Sequence, residues 1–228
     1  LDMGFVDDIL KINKLCAEVK QSLLFSATMP LKVLGLANSI LRSPERIEVE
    51  KVSSPARGVN QYLYYVPINK KMELCLHLLR NSINGNCVIF RRTKLGVDKL
   101  EKSLTKNGYN VATIHGDKSQ SARQEALDRF KAEEVTILIA TDVAARGIDI
   151  QQLDAVLNFD LPNVPEAYVH RIGRTGRAGE KGNAYSLCAA EERNYVISIE
   201  KLTEKSLKII EDHPFPLDPK EKPQVHKK

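Results

Sequence analysis

The sequence predicts an α/β fold, a mostly parallel sheet flanked by helices, and three observations carry that prediction. Short β-branched runs alternate along the chain with stretches whose apolar residues fall three and four apart. Most of the short runs, such as Cys87-Val88-Ile89-Phe90, are continuously apolar, as in strands covered on both faces. Strand and helix alternate in the order that right-handed crossovers require for a parallel sheet.

In chain order, the expected strands are residues 22–25, 46–49, 61–66, 86–90, 110–114, 135–140, 155–159 and 183–187. Met72, Leu76 and Leu79 mark one helix between them; Val97, Leu100 and Leu104 mark a second, and Ala126, Leu127 and Phe130 a third. Val52-Ser53-Ser54-Pro55-Ala56-Arg57-Gly58 is polar and turn-rich, which predicts a linker over residues 51–57. Residues 1–50 then hold too few elements to bury a sheet on both faces, as expected of the last part of a preceding domain. Residues 58–202 form the second domain. Residues 203–228, with His213-Pro214-Phe215-Pro216 and many lysines, predict a basic, Pro-rich linker or disordered tail.

Composition sets the class. Hydrophobic residues are 43% and charged residues 28% of the 228, ordinary for a globular chain and wrong for a disordered or fibrous one. No apolar run approaches the ~18 residues of a membrane span, and Leu1-Asp2-Met3-Gly4-Phe5 has no signal-peptide pattern. Cys16, Cys75, Cys87 and Cys188 lie far apart with no C-x-x-C pair, so buried reduced thiols of a cytoplasmic protein are expected rather than a zinc site. A net charge of +5 fits either a polyanionic partner or a solvated surface.

Four segments at expected strand ends carry chemistry. In His170-Arg171-Ile172-Gly173-Arg174-Thr175-Gly176-Arg177, glycines permit close backbone approach while guanidinium forks match phosphate oxygens. On a helical turn Arg174 and Arg177 would point the same way, as arginine fingers must; a solvated basic turn is the alternative. Thr141 through Asp149 follows a buried strand, where open α/β sheets gather ligands. Within it Asp142 suits either a ligand or a helix N-cap, and Asp149 suits a ribose hydroxyl. His115-Gly116-Asp117 precedes a helix opened by Gln120 and Arg123, a phosphate-binding arrangement unless Asp117 or Ser119 merely caps it. Arg91-Arg92-Thr93-Lys94 ends another strand.

Taken in order, these segments resemble the motif series of the DEAD-box helicases of superfamily 2. Ser26-Ala27-Thr28 is similar to motif III, Phe90-Arg91-Arg92-Thr93 to motif IV, and Gln120-x-x-Arg123 to the QxxR element. Thr141–Asp149 resembles motif V, His170–Arg177 motif VI, and Leu1–Phe5 the stretch just after the D-E-A-D residues. The match runs to about residue 202. His213-Pro214-Phe215-Pro216 looks like bacterial RhlE-type members.

The resemblance implies a second RecA-like domain, preceded by a remnant of the first. It implies that Asp149, Gly147, Arg174 and Arg177 meet ATP, and that Arg174, Arg177 and His170 serve catalysis. Ser26 and Thr28 would couple hydrolysis to RNA, with His170 communicating with them. Thr93, Gly116, Gln120, Arg123 and Thr141 would touch the RNA sugar–phosphate backbone without reading bases. These 228 residues contain no G-x-x-x-x-G-K-[ST] loop, Q motif or D-E-A-D carboxylates. ATP with Mg2+ is therefore expected to be held mainly by a missing first RecA-like domain, and the fragment alone to be inactive. The alternatives are a non-catalytic RNA-binding or competitor module, and a DNA helicase of the same superfamily.

Overall fold

The computed structural model describes residues 5–17, 20–26, 29, 31–47, 58–145, 153–176 and 181–218. The chain divides into two compact units, Leu1–Val52 and Ser53–Lys228. In the first, α1 spans Val6–Leu15, with Asp7 and Asp8 in its first turn and Lys14 in its last, charges that complement the helix dipole. Helix α2 spans Leu31–Ile40 and buries Leu36 and Ala37. Residues 22–25, expected as a strand, form no ladder with any other segment among the described residues. A strand needs a neighbour for its N–H and C=O groups, and an apolar run alone does not supply one. Leu23 and Phe25 stand exposed there. Of the expected strand 46–49, residues 46 and 47 form no strand and the rest lies outside the described residues.

The second unit is a seven-stranded sheet, all of its ladders parallel. Its strands are β1 (Val59–Tyr65), β2 (Cys87–Arg91), β3 (Val111–Ile114), β4 (Ile137–Thr141), β5 (Ala155–Asn158), β6 (Gly182–Cys188) and β7 (Lys208–Ile209), in spatial order β3-β4-β2-β5-β6-β1-β7. The helices are α3 (Lys71–Asn81), α4 (Lys94–Lys106), α5 (Gln120–Lys131), the short α6 (Asp142–Ala145), α7 (Pro165–Ile172) and α8 (Arg193–Thr203). Six of the expected strands are thus present within a residue or two at their ends.

Strand alternation explains the continuously apolar runs. In β2, Ile89 joins a core with Leu74 and Leu78 of α3 and Leu100 and Leu104 of α4. Its neighbours Val88 and Phe90 point the other way, into a core with Ala126 and Phe130 of α5. A third cluster seats Tyr168 and Ile172 of α7 and Val196 and Ile199 of α8 against Leu63. Each fully buried aliphatic side chain of this kind stabilises the fold by about 1.5–3 kcal/mol. Ahead of β2, Gly85 holds φ at +89°, and an added Cβ would lie 2.1 Å from an Asp154 carboxylate oxygen. That carboxylate accepts the Asn86 N–H at 2.8 Å, so the turn closes only around glycine.

Residues read as tail are partly seated in the sheet. Lys208 and Ile209 pair with Tyr62 and Leu63, the Ile210 N–H donates to the Leu63 carbonyl at 2.9 Å, and that of Leu217 to Tyr65 at 3.0 Å. Leu217 is buried and Phe215 packs on the core. A two-residue strand carries no alternation for a sequence reading to find.

Cys75, Cys87 and Cys188 are buried, whereas Cys16 is exposed, against the expectation that all four are buried. Desolvation pushes the Cys75 and Cys188 thiols up to about 12 and raises Cys87 as well. Neutral thiols react slowly, so iodoacetamide at neutral pH should alkylate Cys16 alone in the native chain and all four after denaturation. Rapid native labelling of Cys87, read by peptide mass, would contradict this packing.

Candidate functional site

Because every ladder is parallel, the carboxyl ends of the strands share one edge, and Arg91 of β2 stands in register with Thr141 of β4. The chain departs from β2 toward β3 and β4 on one side and toward β5 and β6 on the other. Ligands collect at the carboxyl edge beside such a reversal.

Arg171 organises this edge. It is 2% exposed, and its guanidinium grips the Asp142 carboxylate bidentately, Nε to Oδ1 at 2.6 Å and Nη2 to Oδ2 at 2.8 Å. Its Nη1 donates to Asn158 Oδ1 at 3.0 Å and to the Asp160 carbonyl at 2.7 Å, and the Phe90 ring lies 4.9 Å away. Asn158 in turn donates to Ser186 Oγ. Arg171 is therefore a strut inside the protein, not one of three phosphate forks, and Asp142 is its counterion. The sequence did hold a signal. Tyr168, Arg171 and Ile172 are spaced three and four apart, so Arg171 shares the buried stripe of α7.

Helix α7 ends at Ile172, so the expected helical turn carrying Arg174 and Arg177 side by side does not form through residue 176. Arg174 sits in the turn beyond it, where its carbonyl accepts the Leu153 N–H at 3.3 Å. Thr175 is buried and its hydroxyl donates to the Leu153 carbonyl. Gly176 has φ +64° with Val59 Cγ2 only 2.5 Å from where a Cβ would stand. Thr175 and Gly176 thus anchor the turn rather than contact phosphate. A shallow cleft opens here, lined by Phe90, Asp142, Ala145, Ala167, His170, Arg171 and Arg174. Within this lining Asp142 is neutralised by Arg171, and His170 and Arg174 stand beside the pair. Arg177, Gly147 and Asp149 lie outside the described residues.

The residues assigned to RNA by resemblance gather on the same edge. Thr93 caps α4, its Oγ1 accepting the Gly96 N–H at 3.0 Å. Gly116 is exposed in the turn after β3, with open space where a side chain would stand. Ser119, not Asp117, caps α5; Asp117 instead pairs with Lys94 at 2.6 Å. Gln120 and Arg123 bond to each other at 3.3 Å, and Arg123 Nη2 also donates to the Ala144 carbonyl, which ties α5 to α6. Thr141, half-buried, closes β4. Ser26 is exposed in the first unit, and Thr28 lies outside the described residues.

Sequence reading missed an ionic seam beside the cleft. Lys71, 3% exposed, donates to the Phe159 carbonyl at 2.8 Å and pairs with the buried Glu192. Glu192 also takes Arg92, while Asp160 takes Arg91 at 2.9 Å and the Arg92 N–H at 3.1 Å. Arg91, Arg92 and Lys94, expected as ligand-facing cations, are all in ion pairs. Partners 100 and 121 residues apart leave no trace in local spacing. Among the described residues no cluster of acidic, His or Cys side chains could hold a metal ion, and no described helix is long and apolar enough to cross a membrane.

The family profile of the helicase conserved C-terminal domain matches residues 70–179. The chain is 40% identical over 207 residues to the DEAD-box ATP-dependent RNA helicase CshA of Bacillus subtilis, covering 91% of this chain and 42% of that protein. CshA of Limosilactobacillus reuteri is 41% identical over 203 residues, covering 89% and 41%. The chain thus spans about two fifths of the curated relatives it matches. Among solved structures, the E. coli DEAD-box protein SrmB bound to regulator of ribonuclease activity A superposes with a TM-score of 0.67 at 35% identity, over 73% of this chain and 98% of that one. S. cerevisiae Dbp5 bound to RNA and ADP BeF3 gives 0.84 at 29% identity, over 92% and 56%.

Removing one partner of a buried ion pair leaves the other charge uncompensated. Arg171→Ala should therefore destabilise the second unit by about 3–5 kcal/mol in urea unfolding. Asp142→Asn should be similar, and the double variant less than the sum of the two. Additive losses would mean that the pair does not act as a unit.

Proposed function

The chain belongs to the DEAD-box helicases and carries their C-terminal helicase domain, and from that premise we propose that it supplies one half of a composite site for RNA-stimulated ATP hydrolysis and local duplex unwinding. The carrying observation is the convergence on one sheet edge of Thr93, Gly116 and Thr141 with the cleft lined by His170 and Arg174. One edge then serves two polyanions, RNA backbone and ATP.

In this reading Arg174 and Arg177 donate to phosphate oxygens whose charge shifts during transfer, acting as arginine fingers. Gly147 and Asp149 receive the nucleotide's ribose side. His170 communicates with Ser26 and Thr28, and Thr93, Gly116, Gln120, Arg123 and Thr141 hold the RNA backbone. ATP with Mg2+ brings the phosphoryl group. The phosphate-cradling loop, the metal-binding carboxylates and the rest of the first RecA-like domain come from outside these 228 residues. Arg171 holds α7, and with it His170 and Arg174, against β4, β5 and α6. Free thiols at all four cysteines support a reducing, cytoplasmic setting. Assignment to the RhlE-type subgroup rests on His213–Pro216 alone.

The test uses the chain joined to a first RecA-like domain. Arg174→Ala and Arg177→Ala should each lower RNA-stimulated kcat by about 10³–10⁵ with RNA affinity unchanged. Normal turnover in both variants would remove these arginines from the reaction. The 228-residue chain alone should show no RNA-stimulated hydrolysis, and measurable turnover there would defeat the composite site.

A further inference from the structure

Helix α4 carries a charge asymmetry that its packing does not require. Gly96, Val97, Leu100 and Leu104 are its buried residues. Two acidic residues turn toward β3 and the loop after it: Asp98 Oδ1 lies 3.0 Å from His115 Nε2, and Glu101 accepts the Thr113 hydroxyl at 3.3 Å. Lys94 is paired with Asp117. The exposed side is left to Lys99, Lys102 and Lys106. At spacings of three and four they are neighbours on one helix face, and among the described residues none has an acidic partner.

Like charges at these spacings destabilise a helix. The helix dipole accounts for Lys106, in the last turn, but not for Lys99 or Lys102. The stripe begins nearly two turns beyond the Thr93 cap, which stands on the edge assigned above to RNA, and runs away from that edge. It runs about 10 Å along the axis at 1.5 Å per residue.

We infer that Lys99, Lys102 and Lys106 form a track for the phosphate backbone of single-stranded RNA leaving the sheet edge, a contact outside the motif residues. The track rests on the reading that this edge binds RNA. It extends the footprint without adding base specificity, because lysine meets phosphate as a point charge.

The experiment is anisotropy titration of the 228-residue chain with fluorescein-labelled oligouridylates of about 6 and about 20 nucleotides, spanning short and extended footprints. In the K99Q/K102Q/K106Q variant the short oligomer should bind as it does to wild type. For the long oligomer the log–log salt slope should become shallower by about 2, so that from about 50 to about 200 mM salt wild type loses roughly twentyfold more affinity than the variant. The triple Lys→Arg variant should retain wild-type behaviour. An unchanged slope on the long oligomer overturns the track, as does equal weakening on both lengths. Failure of wild type to bind either oligomer overturns the underlying RNA reading as well, an outcome distinct from the others.

Discussion

The bidentate pairing of Arg171 with Asp142 is the interaction on which the functional edge depends. A guanidinium in the interior is tolerable only if its donors find acceptors, and here a carboxylate, an amide oxygen and a backbone carbonyl fill that need. The acceptors come from α6, β5 and the turn after β5. One side chain therefore fixes three elements against α7. Replacing the group with apolar side chains of similar volume can be neutral or better for stability, so the arrangement is better understood as setting geometry than as adding strength.

The ionic seam of Lys71, Glu192, Arg91, Arg92 and Asp160 continues this logic along the edge. Asp160 belongs to both systems: its carbonyl takes Arg171, and its carboxylate takes Arg91 and the Arg92 N–H. The loop after β2, which ends in the Thr93 cap of α4, is thereby tied to the same residue that orients α7. A shift of α7 that moved Asp160 would be felt at Thr93, the kind of physical link that communication between two ligands needs.

Legibility in the sequence followed the range of the forces. Continuous apolar runs revealed β2 and β4 because both faces of those strands are covered, and that is a local pattern. Residues 22–25 carry the same pattern without a pairing partner among the described residues, so composition overstated them. The motif residues were legible as types at strand ends, but not in their division of labour. Arg171 and Arg174 look alike in a list of arginines and differ in that one lies on the buried stripe of α7 and the other in the turn beyond its end. Lys71 and Glu192 gave no signal at all, since their pairing exists only once distant elements meet.

The position of β1 has a consequence for how the domain is made. The first strand of the second unit lies between β6 and β7, the last two strands in its sequence. Its residues Val59–Tyr65 pair with Gly182–Cys188, more than a hundred positions later. During synthesis β1 therefore waits, unpaired, until nearly the whole unit has left the ribosome, and stepwise assembly strand by strand is ruled out by topology. Such non-local pairing slows folding and leaves the unpaired strand accessible to other chains in the interval.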